Sequence, residues 1–237
     1  MEPILVTVLP GITGYPEGLS LQRRLLALRQ ENQIPDILLL LEHPPVLTLG
    51  KNANDTHILL PPEVLAARGI QIYQTERGGN VTYHGPGQIV GYPIINLKEN
   101  GTGVKEYVAL LEELFIDLLA KEYAINAYRD PEHRGVWIGD NKITAIGVAV
   151  KRWVTMHGFA FNVNTNLEHF KVINPCGIIG RGVTSLQAIL GKPLEMEVVR
   201  RQVMEYFCRA MKKKPVMLSV EELRQRMGDE PVAPEKT

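Results

Sequence analysis

The chain has 237 residues, enough to bury a core as one large domain. Its 26 Lys and Arg balance 26 Asp and Glu, so no overall field draws it to nucleic acid or to a membrane surface. Two cysteines exclude a disulfide framework, and the longest aliphatic run, Ile37 to Leu41, is far short of the ~20 residues that span a bilayer.

Glu2, Pro3 and Pro10 stand near the start with no basic segment before an apolar one, so no secretory leader is expected and the expected compartment is the cytoplasm. Leu19 to Gln33 carries leucines at 21, 25 and 28 and predicts an amphipathic helix. Ile37–Glu42 predicts a short buried strand that ends at His43-Pro44-Pro45. Pro61-Pro62 opens a short helix that Gly69 closes. Ile70–Thr75 and Ile89–Leu97 predict strands, and Val104 to Glu122 the longest helix, with Val108, Leu111, Phe115, Leu118 and Leu119 along one stripe. Strands follow at Gly135–Ile138, Ile143–Val150 and Thr155–Val163, the first two joined by a turn at Gly139-Asp140-Asn141. A last helix is expected from Met196 to Met211, and a frayed tail from about residue 225 to 237. Lys151-Arg152, Arg200-Arg201 and Lys212-Lys213-Lys214 are local basic clusters, expected to be solvated. Grouped strands with helices between the groups predict a single α+β domain, a mixed sheet with flanking helices on one side.

Three stretches combine glycine with reactive or hydrogen-bonding side chains: Arg77 to Gln88, Lys142 to Val148, and Asn174-Pro175-Cys176-Gly177. Cys176 is expected in a turn, where Gly177 lets backbone N–H groups face the space beside the sulfur. Cys208 lies at helical spacing from Met204 and Met211 and is expected in the core, so Cys176 is the candidate nucleophile. A thiol needs an activator at neutral pH, and Lys142, His84 and His157 are the candidates by residue type. Lys142 follows a tight turn at a strand mouth, where partial burial would let it exchange a proton with a thiol. Arg77, Asn80, Thr82, Tyr83, His84 and Gln88 crowd donors into twelve residues, with Gly85-Pro86-Gly87 as a turn. Neither a phosphate-binding loop nor a dinucleotide fingerprint occurs. Ala145, Gly147, Gly158 and Ala160 are small residues on two neighbouring strands, fit either for tight strand packing or for a slender apolar ligand.

Arg-Gly-Gly-x-x-Thr-x-His-Gly-Pro-Gly-Gln at 77–88, Lys-Ile-x-Ala-Ile-Gly-Val at 142–148, His-Gly-Phe-Ala-Phe-Asn-Val at 157–163 and Pro-Cys-Gly at 175–177 resemble the lipoyl(octanoyl) transferases. Leu41-Glu42-His43-Pro44-Pro45-Val46 and Val183-Thr184-Ser185-Leu186 look like the same family, and Phe161 departs from its usual Leu. The resemblance implies the fold of the lipoate and biotin protein ligase catalytic domain. It implies transfer of octanoyl, or lipoyl, from the phosphopantetheine of acyl carrier protein to one lysine of an apo lipoyl domain. Such acceptors belong to 2-oxoacid dehydrogenase complexes and the glycine cleavage H protein. Cys176 would carry the acyl group as a thioester and Lys142 would lower the thiol's pKa. Substrate binding would fall on Arg77, Gly78, Gly79, Asn80, Val81, Thr82, Tyr83 and His84, on Ala145, Ile146 and Gly147, and on Gly158, Phe159 and Ala160. Neither ATP nor a metal is expected, because a thioester already carries the activation. The rival readings are an ATP-dependent lipoate or biotin ligase, an octanoyl amidotransferase between lipoyl domains, and a Zn²⁺ site formed by His84, His157 and Cys176.

Overall fold

An unbroken apolar run such as Ile37–Leu41 suits a strand covered on both faces, and that is where the chain puts it. A computed structural model describes residues 2–53, 57–174 and 181–228. The chain opens with β1 (Pro3–Ile12), α1 (Tyr15–Gln30), β2 (Ile37–Glu42) and β3 (Val46–Leu49). Next come α2 (Pro62–Ala67), β4 (Gln71–Gln74), β5 (Val81–His84), β6 (Gln88–Ile94) and α3 (Val104–Tyr123). Then follow β7 (Tyr128–Arg129), β8 (Val136–Ile138), β9 (Asn141–Lys151), β10 (Val154–Asn162) and β11 (Gly182–Val183). The chain closes with α4 (Leu186–Leu190), α5 (Met196–Ala210), β12 (Lys214–Met217) and α6 (Val220–Arg226).

The main sheet has the order β12-β1-β2-β6-β10-β9-β8-β7, with β11 paired to β9. The β12–β1, β1–β2 and β11–β9 pairs are parallel and the rest antiparallel, so the sheet is mixed. Alternation along the strands sorts the core. Ile4, Val6, Leu38, Leu40, Phe159 and Phe161 pack with Leu111, Phe115 and Leu118 of α3 and Val203 and Phe207 of α5. Their neighbours Leu5, Ile37, Leu39, Leu41 and Val90 pack with Leu25 and Leu26 of α1, Leu223 of α6 and Met227 just after it. Each such side chain contributes about 1.5–3 kcal/mol by burial, enough to hold helices on both faces. The expected one-sided cover is therefore corrected: α1 and α6 close the second face.

A smaller sheet, β4-β3-β5, encloses Leu47, Val81 and Tyr83 with Phe170 and Val172 of a 3-10 turn at Leu167–Val172. Residues 77–88 are too rich in glycine overall to announce a strand. Yet the glycines flank Val81-Thr82-Tyr83-His84, which is free to pair antiparallel with β3. The sequence does not announce a helix after α5, yet one forms. A capping box between Ser219 and Glu222 starts α6, and Leu223 and Met227 are buried, so the helix holds through Arg226. Residues 229–237 lie outside the described residues. Two of the basic clusters are partly internal. Arg200 is buried and bonded to Glu42 at 3.0 Å, and buried Lys213 pairs with Glu2 at 2.5 Å. Among the described residues no helix is long and apolar enough to cross a membrane.

Candidate active site

Small residues on β9 and β10 stand opposite one another, Ala145 beside Ala160 and Gly147 beside Gly158. Loop 77–80 and β5 lie across from them, pinned where the Gly78 N–H donates to the Val148 carbonyl at 3.0 Å. Between the two surfaces is a cavity of about 340 Å³, at the small end of the ~300–1,000 Å³ typical of ligand sites. Of the residues singled out from sequence, Arg77, Gly79, Asn80, Val81, Thr82, His84, Lys142, Ala145, Ile146, Gly147, Gly158, Phe159 and Ala160 line it. Gly78 contributes the backbone bridge. Tyr83 does not line it: its ring is buried in the small sheet's core, with its hydroxyl 2.7 Å from His169 Nδ1. Cys176, with Pro175 and Gly177, lies outside the described residues. Gly147 has a further reason to be glycine. A Cβ there would sit 3.0 Å from the Gly78 carbonyl oxygen and 3.2 Å from Arg77 Cδ, so its bareness admits the loop as well as bordering the cavity.

Lys142 stands at the cavity mouth, at the start of β9, in register with Trp137 on one side and Val183 on the other. Its side chain is half-buried, with Nζ 4.8 Å from the centroid of the Trp137 ring. The Arg181 guanidinium lies over the same ring at 4.7 Å and is bonded to Asp130. That contact holds the Asp130 carboxyl down, at about 2. Trp137 is itself fully buried, its indole N–H donating to the His133 carbonyl at 2.9 Å. Gly135 makes the slot: with φ +122, a Cβ on it would meet the Thr144 carbonyl at 2.5 Å and Lys142 Cδ at 3.2 Å. Trp137, Gly135 and Arg181 escaped the sequence reading, since one aromatic, one glycine and one arginine far apart carry no pattern of their own.

The inner end is built differently. Arg77 is buried and donates to the Thr48 carbonyl, the Thr48 hydroxyl and the Gly78 carbonyl. Burial pushes its guanidinium down to about 10, so it is still a cation at neutral pH, and no carboxylate among the described residues pairs with it. His84 Nδ1 donates to Gln88 Oε1 at 2.8 Å, and Gln88 passes the chain on to Asn162, whose amide donates to the Thr184 carbonyl, beside Lys142 and so back toward the mouth. His43 Nδ1 donates to the Thr13 carbonyl at 2.6 Å, which leaves Nε2 to accept from the Tyr92 hydroxyl at 2.7 Å. His157 takes φ +57 in mid-strand, and its backbone N–H donates to Gln22 Oε1 at 2.8 Å. Burial pushes His43 and His157 down to about 4 and His84 well below the usual imidazole range, while it raises the Tyr15 phenol to about 12. All three imidazoles are neutral at pH 7.

This placement separates His157 from Lys142. His157 pairs with Val148, six residues along β9 from Lys142, or about 20 Å by strand rise. Among the described residues no three His, Cys, Asp or Glu side chains are grouped to hold a metal ion.

The lipoyl protein ligase A/B catalytic domain matches residues 14–208. The chain belongs to this family. Within the family it is 54% identical to the octanoyltransferase of Desulforamulus reducens, over 93% of this chain and 96% of that one. It is 52% identical to the octanoyltransferase of Caldicellulosiruptor saccharolyticus, over 89% and 90%. The fold of the lipoyl protein ligase family is also seen in lipoate-protein ligase A bound with ATP, at TM-score 0.72 and 15% identity over 97% of this chain and 94% of that one. A bi-partite lipoate protein ligase from Thermoplasma acidophilum has the same fold, at TM-score 0.71 and 15% identity over 97% and 91%.

Proposed function

We infer that this protein is an octanoyltransferase that moves an octanoyl group from an acyl carrier thioester to a lysine of a lipoyl domain, through a thioester on Cys176. The observation that carries this is Lys142 at the mouth of a small-residue cavity, in a chain 54% identical to an octanoyltransferase across nearly its whole length. Structures at 15% identity, one of them holding ATP, speak for the fold and not for the donor.

In this reading the carrier's phosphopantetheine thioester reaches the mouth with its acyl tail along Ala145, Gly147, Gly158 and Ala160. Lys142 accepts the Cys176 thiol proton. The thiolate attacks the carbonyl carbon, a new C–S bond forms, and the carrier's C–S bond breaks to release a thiolate that takes the proton back from Lys142 and leaves as the thiol. One thioester replaces another, so the step is near balance and calls for no nucleotide. A neutral lysine amine of the lipoyl domain then attacks the acyl-enzyme, the amide forms, and the enzyme's thiolate leaves, with the amine's proton passing to Lys142 or that thiolate. In this reading Lys142, half-buried beside Trp137, handles the proton in both halves. The apolar floor of Ala145 and Ala160 keeps water from the acyl-enzyme. The two-residue stretch β11, paired with Asn141 and Lys142, returns the chain to the mouth directly after residues 175–180.

Intact-mass measurement after incubation with octanoyl-acyl carrier protein tests the reading. One octanoyl adduct is expected on the wild type, removed by hydroxylamine and absent from Cys176→Ala, which should also be inactive in transfer. An adduct elsewhere, or undiminished transfer by Cys176→Ala, would show that the acyl group travels another way.

A further inference from the structure

The inner end of the cavity holds a polar atom that the proposed reaction does not use. His157 is 2% exposed and lines the cavity, and its Nε2 has no hydrogen-bond partner. A buried nitrogen left unpaired is costly, and in native folds such groups call for an explanation. The residue is also held at φ +57, where a non-glycine residue is uncommon, by the bond from its N–H to Gln22. The fold thus holds an unfavourable backbone conformation that sets this imidazole at the cavity's inner end. Near it are the Tyr92 ring, 6.4 Å away between centroids, and the Arg77 guanidinium, a cation facing no carboxylate among the described residues.

Resting on the octanoyltransferase reading, we propose that His157 is the residue that limits acyl chain length, by closing the apolar floor with a polar end. The Ala145–Ala160 and Val148–His157 pairs are three residues apart along β9, about 10 Å by strand rise. That is the reach of an extended eight-carbon chain whose carbonyl lies level with Ala145, the side chains of Lys142 and of the nucleophile bridging the remaining three residues of β9 to the mouth. Further methylenes must press against the imidazole and toward Arg77, groups that gain nothing from hydrocarbon and lose what hydration they have. The limit is thus chemical as well as steric: a chain of the same length that ends in a hydroxyl can bond to Nε2, whereas one that ends in methyl cannot.

Two measurements test this, both on the full-length protein with acyl-carrier-protein donors. The first compares kcat/KM for octanoyl, decanoyl and dodecanoyl donors in wild type, His157→Gly and His157→Asn. Glycine accepts φ +57 without strain and removes the polar end, whereas asparagine tolerates the backbone and keeps one. The dodecanoyl-to-octanoyl ratio should rise about tenfold or more in His157→Gly and less in His157→Asn. An unchanged ratio in a His157→Gly protein that melts cooperatively overturns the proposal. The second needs no variant: wild type should favour an 8-hydroxyoctanoyl donor over nonanoyl, which has the same number of heavy atoms in its chain, by about tenfold, the scale of one buried hydrogen bond made or missed. Equal use of the two also overturns it. Wild type that transfers none of these groups strikes at the octanoyltransferase reading itself, an outcome distinct from transfer without discrimination.

Discussion

The two ends of the cavity are both polar, but they handle polarity in opposite ways. At the mouth, Lys142 Nζ and the Arg181 guanidinium lie over one buried indole, Arg181 is tied to Asp130, and Lys142 is half in water. At the inner end, the imidazoles are neutral and most of their hydrogen-bonding atoms are spoken for by neighbours. The mouth is arranged to move a proton at the reacting atoms. The inner end is arranged not to titrate, so that the cavity presents the same surface to an acyl tail across the physiological range. Residue type alone does not reveal this division: His84 and His157 look as able as Lys142 to deprotonate a thiol until their depth is known.

The sharpest way to break the comparison is at the mouth. Lys142→Ala should lower transfer by roughly 10²–10⁴-fold, the usual scale for removing a general base. Lys142→Arg keeps a cation near Trp137 but cannot accept a proton near neutrality, so it should lose most turnover while retaining some thiolate stabilisation. Iodoacetamide labelling of Cys176 against pH separates the two effects: Lys142→Ala should shift the profile to higher pH, and Lys142→Arg should shift it less. If Lys142→Ala left the profile alone while His84→Ala moved it, the division between mouth and inner end would be wrong.

Much of the inner end can be read from sequence because it is local. Arg77, Thr82, His84 and Gln88 are neighbours in the chain, and alternation along Val81–His84 sends Tyr83 away from Thr82 and His84. The small residues of β9 and β10 are legible for the same reason, as are the spans of β2 and α3. What stays hidden depends on register and distance. Trp137 meets Lys142 only through the β8–β9 pairing, and Arg181 joins them from a third segment. His43 and Tyr92, forty-nine residues apart, meet although the β2–β6 register sets Leu39, not His43, opposite Tyr92. The second helical layer is only half legible: α1 shows in its leucine spacing, but α6 is a short helix whose case rests on a capping box and two buried side chains.

A smaller effect tests the inner end as a non-titrating surface. His43 and His157 have folded values near 4 against 6.5 in water, so the unfolded chain takes up their protons first as pH falls. Stability is therefore full above about pH 6.5, declines between 6.5 and 4, and levels off below, at a cost of roughly 1.4 kcal/mol per pH unit for each group. The Asp130 pair fails in a separate, lower window, from 3.8 towards 2. Urea midpoints at pH 7, 5.5 and 4.5 should fall steeply. His43→Gln can keep both hydrogen bonds without a titrating ring, and it should flatten the decline by about one proton. An equal slope in wild type and variant would mean that His43 is charged, or exposed, in the folded protein.

The smallest effect belongs to the chain's other thiol and checks that location, not residue type, makes a nucleophile. Cys208 sits on α5, 3% exposed, among Phe207, Met211 and the side chains of α3. Burial pushes its thiol up to about 11, so almost none is thiolate at neutral pH, and nothing at that depth could receive a carrier's phosphopantetheine arm. Cys208→Ala removes one sulfur from a packed core and should cost about 1 kcal/mol, within the range for a small cavity. Transfer rate and iodoacetamide labelling of the native protein should stay as in wild type. Label on Cys208 without denaturant, or a tenfold loss of transfer in Cys208→Ala at unchanged melting temperature, would place chemistry in the core and remove the basis for assigning it to the mouth.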